Sequence, residues 1–152
     1  MIHEEAEAIR KRCQDQYTAL IPQISSPVIT EEALLQYCHI YDSRASIHES
    51  LLNLSDMIAL ADTAADISDK HYFIATHNAL TADRKKEHLK QSVAYAEKTI
   101  QWCATPSFEM AKGNISNTPQ NRITSQQYNN LVNHWQSVKR KREIILDQLG
   151  EK

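Results

Sequence analysis

Turn-forming residues are scarce in this sequence. It contains two glycines and four prolines among 152 residues, and aromatic residues make up only 7%. A many-stranded sheet needs frequent turns, so this scarcity leaves little room for one and favours helices. It also leaves no Gly-rich phosphate loop and no nucleophile elbow, which are the local signatures of many nucleotide-binding proteins and hydrolases.

The sequence also lacks a cysteine framework, a long apolar run and a large net charge. Cys13, Cys38 and Cys103 are far apart and show no CxxC spacing, which predicts reduced thiols, a cytoplasmic location and no zinc site. The longest apolar run, residues 57–61, is too short to span a bilayer, and the charged N-terminus lacks the apolar segment of a signal peptide. A net charge of −2 gives no general attraction to nucleic acid or to a membrane.

What the sequence does have is apolar residues at alternating steps of four and three. This heptad spacing runs from Ala33 to Ala65 and again from Tyr72 to Cys103, and it is typical of helices that pack lengthwise on each other. Neither stretch contains glycine or proline, so nothing in the composition forces an interruption. We therefore predict two helices of about 36 residues each that fold back on each other near residues 67 and 68.

Capping signals and prolines complete the predicted fold, an all-α, antiparallel up-and-down helical bundle in a single domain over residues 1–152. Four main helices are built on the long central helical hairpin. The predicted elements are helix A over 3–21, ended by Pro22; helix B over 31–66; helix C over 69–104; a polar loop over 106–122; and helix D over 124–149. Because helices A and D are shorter than the hairpin, we expect uncovered apolar surface and self-association as a homodimer.

Each predicted apolar seam is interrupted once by a cation. Arg44, Lys86 and Arg142 stand where an aliphatic side chain would pack best. In a hairpin that turns at residues 67 and 68, Lys86 lies level with Glu49, and an ion pair there would fix the register of the helices. The alternative is that these long side chains extend to the edge of the bundle and contact water.

Charged residues are segregated between the two helices of the predicted hairpin. Asp42, Glu49 and Asp56 repeat every seven residues opposite the seam of helix B, and they predict an acidic stripe that faces solvent. The equivalent outer positions of helix C carry mainly basic groups: Lys70, His77, Arg84 and Lys98.

Three short basic runs, residues 10–12, 84–86 and 139–142, lie near the midpoints of their predicted helices. They could form a belt that binds phosphate groups, with Arg84, Lys85, Lys139, Arg140 and Lys141 as the candidate anion-binding residues. However, consecutive helical residues point about 100° apart, so a run spreads round its helix. No nucleic-acid recognition module accompanies the runs, and we prefer a solvated charged face.

Two pairs combine an arginine with a histidine four residues later: Arg44 with His48, and Arg84 with His88. Such a pair could serve a small helical-bundle hydrolase or nuclease, although two pairs arise easily by chance in a chain with seven histidines. Neither a His-Glu-x-x-His nor a Glu-x-x-His motif is present, so we expect no metal and no cofactor.

The function favoured by these patterns is that of a non-enzymatic interaction protein, without catalytic residues, that works through its surfaces. It would be an adaptor, chaperone or assembly subunit that binds another protein or a second copy of itself. Two alternatives stay open: a nucleic-acid-associated protein that uses the basic belt, and a hydrolase or nuclease that uses an Arg/His pair.

Overall fold

Helices are the sole regular elements in the part of the chain that the structure, a computed structural model, describes. It describes residues 1–26, 28–77, 79–106, 108, 123 and 130–150. The α-helices of these ranges are α1 (His3–Ile24), α2 (Glu31–Ala45), α3 (Leu54–His77), α4 (Ala82–Cys103) and α5 (Leu131–Gly150), and a short 3-10 helix covers Glu49–Leu51. Each helix packs against the next in the chain. The prediction of an all-α helical bundle is therefore confirmed.

Neighbouring helices run antiparallel, as their contacts show. Along the α1 and α2 pair, Cys13 Sγ lies 3.7 Å from the carbonyl oxygen of Ile40, and further along α1 the ring of Tyr17 stacks on the ring of Tyr37. A later residue of α1 thus contacts an earlier residue of α2, which shows that the two helices run in opposite directions. No helix in the described ranges is both long and apolar enough to cross a membrane.

α3 lies at the centre of the bundle and, like α4, contributes to two apolar clusters. One cluster joins it to α1, α2 and α4 and includes the α3 residues Leu60, Ala64, Ile67 and Ile74. The other joins it to α4 and α5 and includes Ala61 and Ala65. Complete burial of a large aliphatic side chain stabilises a fold by about 1.5–3 kcal/mol. Because α3 has buried residues in both clusters, it connects the two halves of the bundle.

The predicted turn at Ile67 and Ser68 is wrong. Both residues are fully buried in α3, and the chain reverses between His77 and Ala82. Thr81 caps the start of α4, where its Oγ1 accepts a hydrogen bond from a backbone N–H at 3.3 Å. The heptad pattern runs through this region without a break, so apolar spacing alone does not show where a hairpin turns.

Predicted helix B is divided by a second break, which the apolar spacing did not indicate. α2 ends at Ala45, and α3 begins after Asn53. Asn53 Oδ1 accepts from the backbone N–H of Asp56 at 2.9 Å, and Asp56 Oδ2 accepts from the backbone N–H of Asn53 at 3.1 Å. This reciprocal capping satisfies donors at the new helix start.

The breaks remove the reason for which self-association was predicted. No described helix approaches 36 residues, and α1, α3, α4 and α5 have between 20 and 24. The large apolar side chains that remain exposed are distributed over several elements: Met1, Ile2, Ile21, Val28, Leu35, Leu54, Phe73 and Ile144.

Two smaller differences concern prolines and the polar loop. Pro22 does not end the first helix, because α1 continues to Ile24, whose buried side chain packs in the core and offsets the backbone bond lost at proline. Within the predicted loop over 106–122, Phe108 is buried in the second apolar cluster. The rest of that loop after Pro106, and residues 124–129 of predicted helix D, lie outside the described residues.

Candidate functional site

A buried carboxylate joins the first three helices. Asp56 is fully buried in the first turn of α3, where Arg10 of α1 donates to it from Nε at 3.0 and 3.1 Å and from Nη2 at 2.8 Å. Arg44 of α2 donates from Nε at 3.1 Å. Burial raises the pKa of Asp56, but the hydrogen bonds from Arg10, Asn53 and Arg44 outweigh it and lower the pKa below its ordinary value. Asp56 is therefore ionised at neutral pH.

This arrangement contradicts the predicted acidic stripe at one of its three positions. Asp56 was expected to face solvent, yet it is enclosed by two guanidinium groups. Its burial follows from the break before α3, which places it in the first turn of a new helix. The Asn-x-x-Asp spacing of the capping pair was the signal in the sequence that could have revealed this position.

A cleft of about 340 Å³ opens beside this ion-pair centre, between α1, α2 and α3. Its walls are largely apolar and aromatic and include Tyr17, Tyr37, Tyr41, Ile40 and Ile58. Small-molecule sites occupy about 300–1,000 Å³ and combine such walls with a few polar groups. The cleft therefore has the size and lining of a site for a small ligand.

Arg44 is the cationic residue in the lining of this cleft, and part of its guanidinium group forms no hydrogen bond among the described residues. Tyr37 and Asp62, which also line the cleft, are bonded within the protein: the Tyr37 hydroxyl donates to Asp66 at 2.8 Å, and Asp62 Oδ1 accepts from the backbone N–H of Ile123 at 2.9 Å. Arg44 donates from Nε to Asp56, and among the described residues neither of its two Nη atoms forms a hydrogen bond.

A second polar cluster links α2, α3 and α4 through Cys38, His71, His88 and Glu31. The two histidine Nδ1 atoms are 2.9 Å apart, His88 Nε2 lies 2.7 Å from Glu31 Oε1, and His71 Nε2 lies 4.0 Å from Cys38 Sγ. Since an ionised Glu31 only accepts, His88 donates from Nε2 and accepts at Nδ1 from His71. His71 Nε2 then faces the Cys38 thiol as an acceptor.

The pKa values in this cluster do not suit nucleophilic catalysis. Burial, aided by the charge of His88, lowers the pKa of His71 to about 3, and burial also lowers the pKa of His88. Burial raises the pKa of the Cys38 thiol. A protonated thiol beside a weakly basic imidazole is a poor nucleophile. The contacts of this cluster join α2, α3 and α4.

The structure keeps one of the two predicted Arg/His pairs together and divides the other. Arg84 and His88 both bind Glu31 and thus share one helix face, although the carboxylate satisfies both. Arg44 and His48 do not share a face, because α2 ends between them; His48 instead bonds Ser50 at 2.7 Å and caps the 3-10 helix.

Arg142 is buried at a junction of α3, α4 and α5. Its Nη1 donates to Ser68 Oγ at 2.6 Å and lies 3.2 Å from Ser92 Oγ, and its Nη2 donates to Asp69 at 2.7 Å. The guanidinium also lies 4.7 Å from the ring centroid of Tyr72. Arg142 therefore contacts the interior of the bundle rather than water at its edge.

The remaining predicted site residues are dispersed. Lys86 is half-buried near the start of α4, whereas Glu49 is exposed in the 3-10 helix outside the α3 and α4 hairpin, so the pairing deduced from the wrong turn is lost. Of the basic belt, Lys139 binds Glu97 at 2.9 Å. Lys85 is half-buried, and Arg140 and Lys141 are exposed.

The sequence matches no protein-family model, and no curated protein or solved structure is significantly similar to it. Within the described ranges, no three His, Cys, Asp or Glu side chains are grouped so that they could hold a metal ion. Within the described residues, fold and site thus define an all-α helical bundle with a cleft beside a buried ion-pair centre.

Proposed function

We propose that this chain is a non-enzymatic helical-bundle protein that acts by binding, and that the cleft between α1, α2 and α3 is its binding site. The observation that carries the proposal is the contrast at this cleft between bonded and unused polar groups. Asp56 is fully bonded and buried, whereas the Nη atoms of Arg44, beside it, have no acceptor among the described residues. A fixed donor in an apolar cleft is suited to recognition.

The hydrolase or nuclease alternative has less support. Its better pair, Arg84 and His88, is bonded to Glu31, and the lowered pKa of His88 is caused first by burial. A general base needs access to a substrate proton, and the other side of the His88 ring already contacts His71.

The nucleic-acid alternative loses several members of its belt. Arg10 and Arg84 are paired with carboxylates, and Arg142 is buried. Cations that are paired or buried in this way contribute little to phosphate binding. A phosphate group releases its counterions only when a cation at the protein surface is available to neutralise it. The other belt residues that remain exposed are Lys11 and Arg12 on α1 and Arg140 and Lys141 on α5, which are two short runs on different helices. Elution of the protein from heparin at a low salt concentration would agree with weak binding of anionic polymers.

The binding proposal is tested by a fragment screen monitored by two-dimensional NMR of the ¹⁵N-labelled protein. We expect aromatic fragments to shift amide signals of residues around the cleft. Ala59 lines the cleft on α3, so Ala59→Phe should fill it and abolish these shifts. Ala94→Phe makes the same change at an exposed position of α4 and should retain them. Shifts that avoid the cleft, or that persist in Ala59→Phe, would contradict the proposal.

Binding of another protein or of a second copy remains a prediction, in the sense of an adaptor, chaperone or assembly subunit. Light scattering across a hundredfold range of concentration would test self-association. A constant monomer mass would reject the homodimer and leave the proposal for the cleft unaffected.

A further inference from the structure

We infer that the ligand of the cleft is a small organic carboxylate with a flat aromatic body, and that the Nη atoms of Arg44 bind its carboxylate. This inference rests on the proposed function, which it deepens by naming the class of ligand. It follows from the orientation of one guanidinium group and from the chemistry of the walls around it.

The guanidinium of Arg44 is held in a fixed orientation. Its Nε donates to Asp56, which is completely buried and is anchored by Arg10 and by the backbone of Asn53. The Arg44 side chain keeps 22% of its surface exposed. With Nε occupied, the end of the group that carries both Nη atoms remains, and two parallel N–H donors match the two oxygens of a carboxylate.

The charge balance at this end of the cleft favours an anion. Arg10 and Arg44 bring two positive charges to a single buried carboxylate, that of Asp56. Glu7 also binds Arg10, from the outer side and with 55% of its side chain exposed, so Arg10 has two carboxylate partners whereas Arg44 shares Asp56 with it. A ligand carboxylate at Arg44 would give this second guanidinium a counter-charge of its own.

The other end of the cleft sets the orientation of the ligand. Asp62 lies six residues after Asp56, about 9 Å along α3, and its carboxylate would repel a second anion. The ligand carboxylate is therefore confined to the Arg44 end. Its body lies between the ring of Tyr17 and the side chain of Ile58, where aromatic and aliphatic surfaces can enclose a flat ring.

The experiment compares 2-naphthoate with 2-naphthamide, which has nearly the same shape and no charge, by calorimetry and by NMR. We expect the wild-type protein to bind the carboxylate at least tenfold more tightly than the amide, with both ligands shifting signals at the cleft. In Arg44→Gln the preference should fall to less than twofold, because the amide loses little while the carboxylate loses its cation.

Arg44→Gln could lose its fold, since it removes a partner of Asp56, so Ala59→Phe supplies a second test that leaves Arg44 and Asp56 in place. It should abolish binding of both ligands, while Ala94→Phe should bind them as the wild type does. Equal affinity of both ligands at the wild-type cleft would overturn this inference and leave the binding function standing. If neither ligand binds at the cleft of the wild-type protein, the inference is wrong. If the fragment screen also detects no binding at the cleft, the proposed binding function is wrong as well.

Discussion

Asp56, His71 and Arg142 are buried polar residues, and each lies where three helices meet. Asp56 joins α1, α2 and α3; His71 joins α2, α3 and α4; Arg142 joins α3, α4 and α5. Transfer of a charge from water costs several kcal/mol unless hydrogen bonds replace its hydration. These residues therefore specify how the helices are placed, because any other arrangement would leave a buried polar group without a partner.

Asp56→Asn should destabilise the protein by about 3–5 kcal/mol, because it leaves two guanidinium groups without their buried counter-charge. Urea unfolding at pH 7 measures the change in the free energy of unfolding. The matched control is Asp42→Asn, at an exposed position, which should change that free energy by less than about 0.5 kcal/mol. A loss below about 1 kcal/mol for Asp56→Asn would mean that the ion-pair centre does not hold the three helices.

His71 should make the protein less stable in mild acid. Its pKa is about 6.5 in the unfolded chain and about 3 in the folded one, so the unfolded state binds more protons between these values. Stability is thus fully present above pH 6.5 and is lost as the pH falls towards 3. The free energy of unfolding should drop by about 2 kcal/mol from pH 7 to pH 5 through this group alone.

The variant His71→Phe should lose most of that pH dependence, since it has no group to protonate and can still pack against the ring of Tyr95. His39→Ala removes an exposed histidine and should keep the dependence of the wild type. Denaturant midpoints at pH 5, 6 and 7 provide the comparison. A flat profile for the wild type would show that His71 is not buried in its neutral form.

At the scale of the helices, caps decide where the elements begin. The heptad pattern predicted helical residues well, because the same apolar side chains point inward whether a helix is long or broken. It misplaced the hairpin turn and missed the break before α3, because the caps at Thr81 and Asn53 act through one or two local hydrogen bonds that leave the apolar period unchanged. The end of α4 was predicted to within one residue, at 104 instead of Cys103, since Pro106 cannot continue a helix.

Asn53→Ala should therefore lower the free energy of unfolding by about 1 kcal/mol, the usual contribution of an N-cap side chain. Asn53 Oδ1 would no longer accept the N–H of Asp56, while the bond in the reverse direction would remain. The control is Ser55→Ala, two positions further into α3, which should have a smaller effect. Chemical denaturation of the three proteins side by side measures the difference; equal losses for the two variants would reject the capping interpretation.

At the scale of the whole molecule, the bundle is built outward from the α3 and α4 hairpin. This pair shares the most extensive contact, α5 packs against α4, and α1 packs chiefly against α2. α1 reaches α3 through the bond of Arg10 to Asp56 and through Leu20 and Ile24 in the apolar cluster that they share with α3. The first helix is thus the least firmly held of the helices that form the cleft, and local opening should begin there.

Hydrogen exchange measured by mass spectrometry can test whether α1 opens before α3 and α4. Amides of α3 and α4 should exchange most slowly, and Arg10→Met should speed exchange in α1 while leaving α4 nearly unchanged. Lys11→Met alters the exposed neighbouring residue and should leave the profile of α1 as it is. If α4 exchanges faster in Arg10→Met to the same extent as α1, the bundle unfolds as one unit and the proposed order is wrong.

The sequence by itself determined that this chain is helical and that its helices pack lengthwise, because local spacing and the scarcity of turn formers suffice for both. The candidate site was not determined in this way. Arg10 meets Asp56 across 46 positions, and Arg142 meets Ser68 across 74. In the sequence, a seam cation such as Arg44 is an interruption of the apolar pattern. In the folded chain a distant carboxylate fixes its orientation, and Arg44 becomes part of the lining of a cleft. Only the tertiary structure decides such partnerships, since the energy of a buried charge depends on what surrounds it in space.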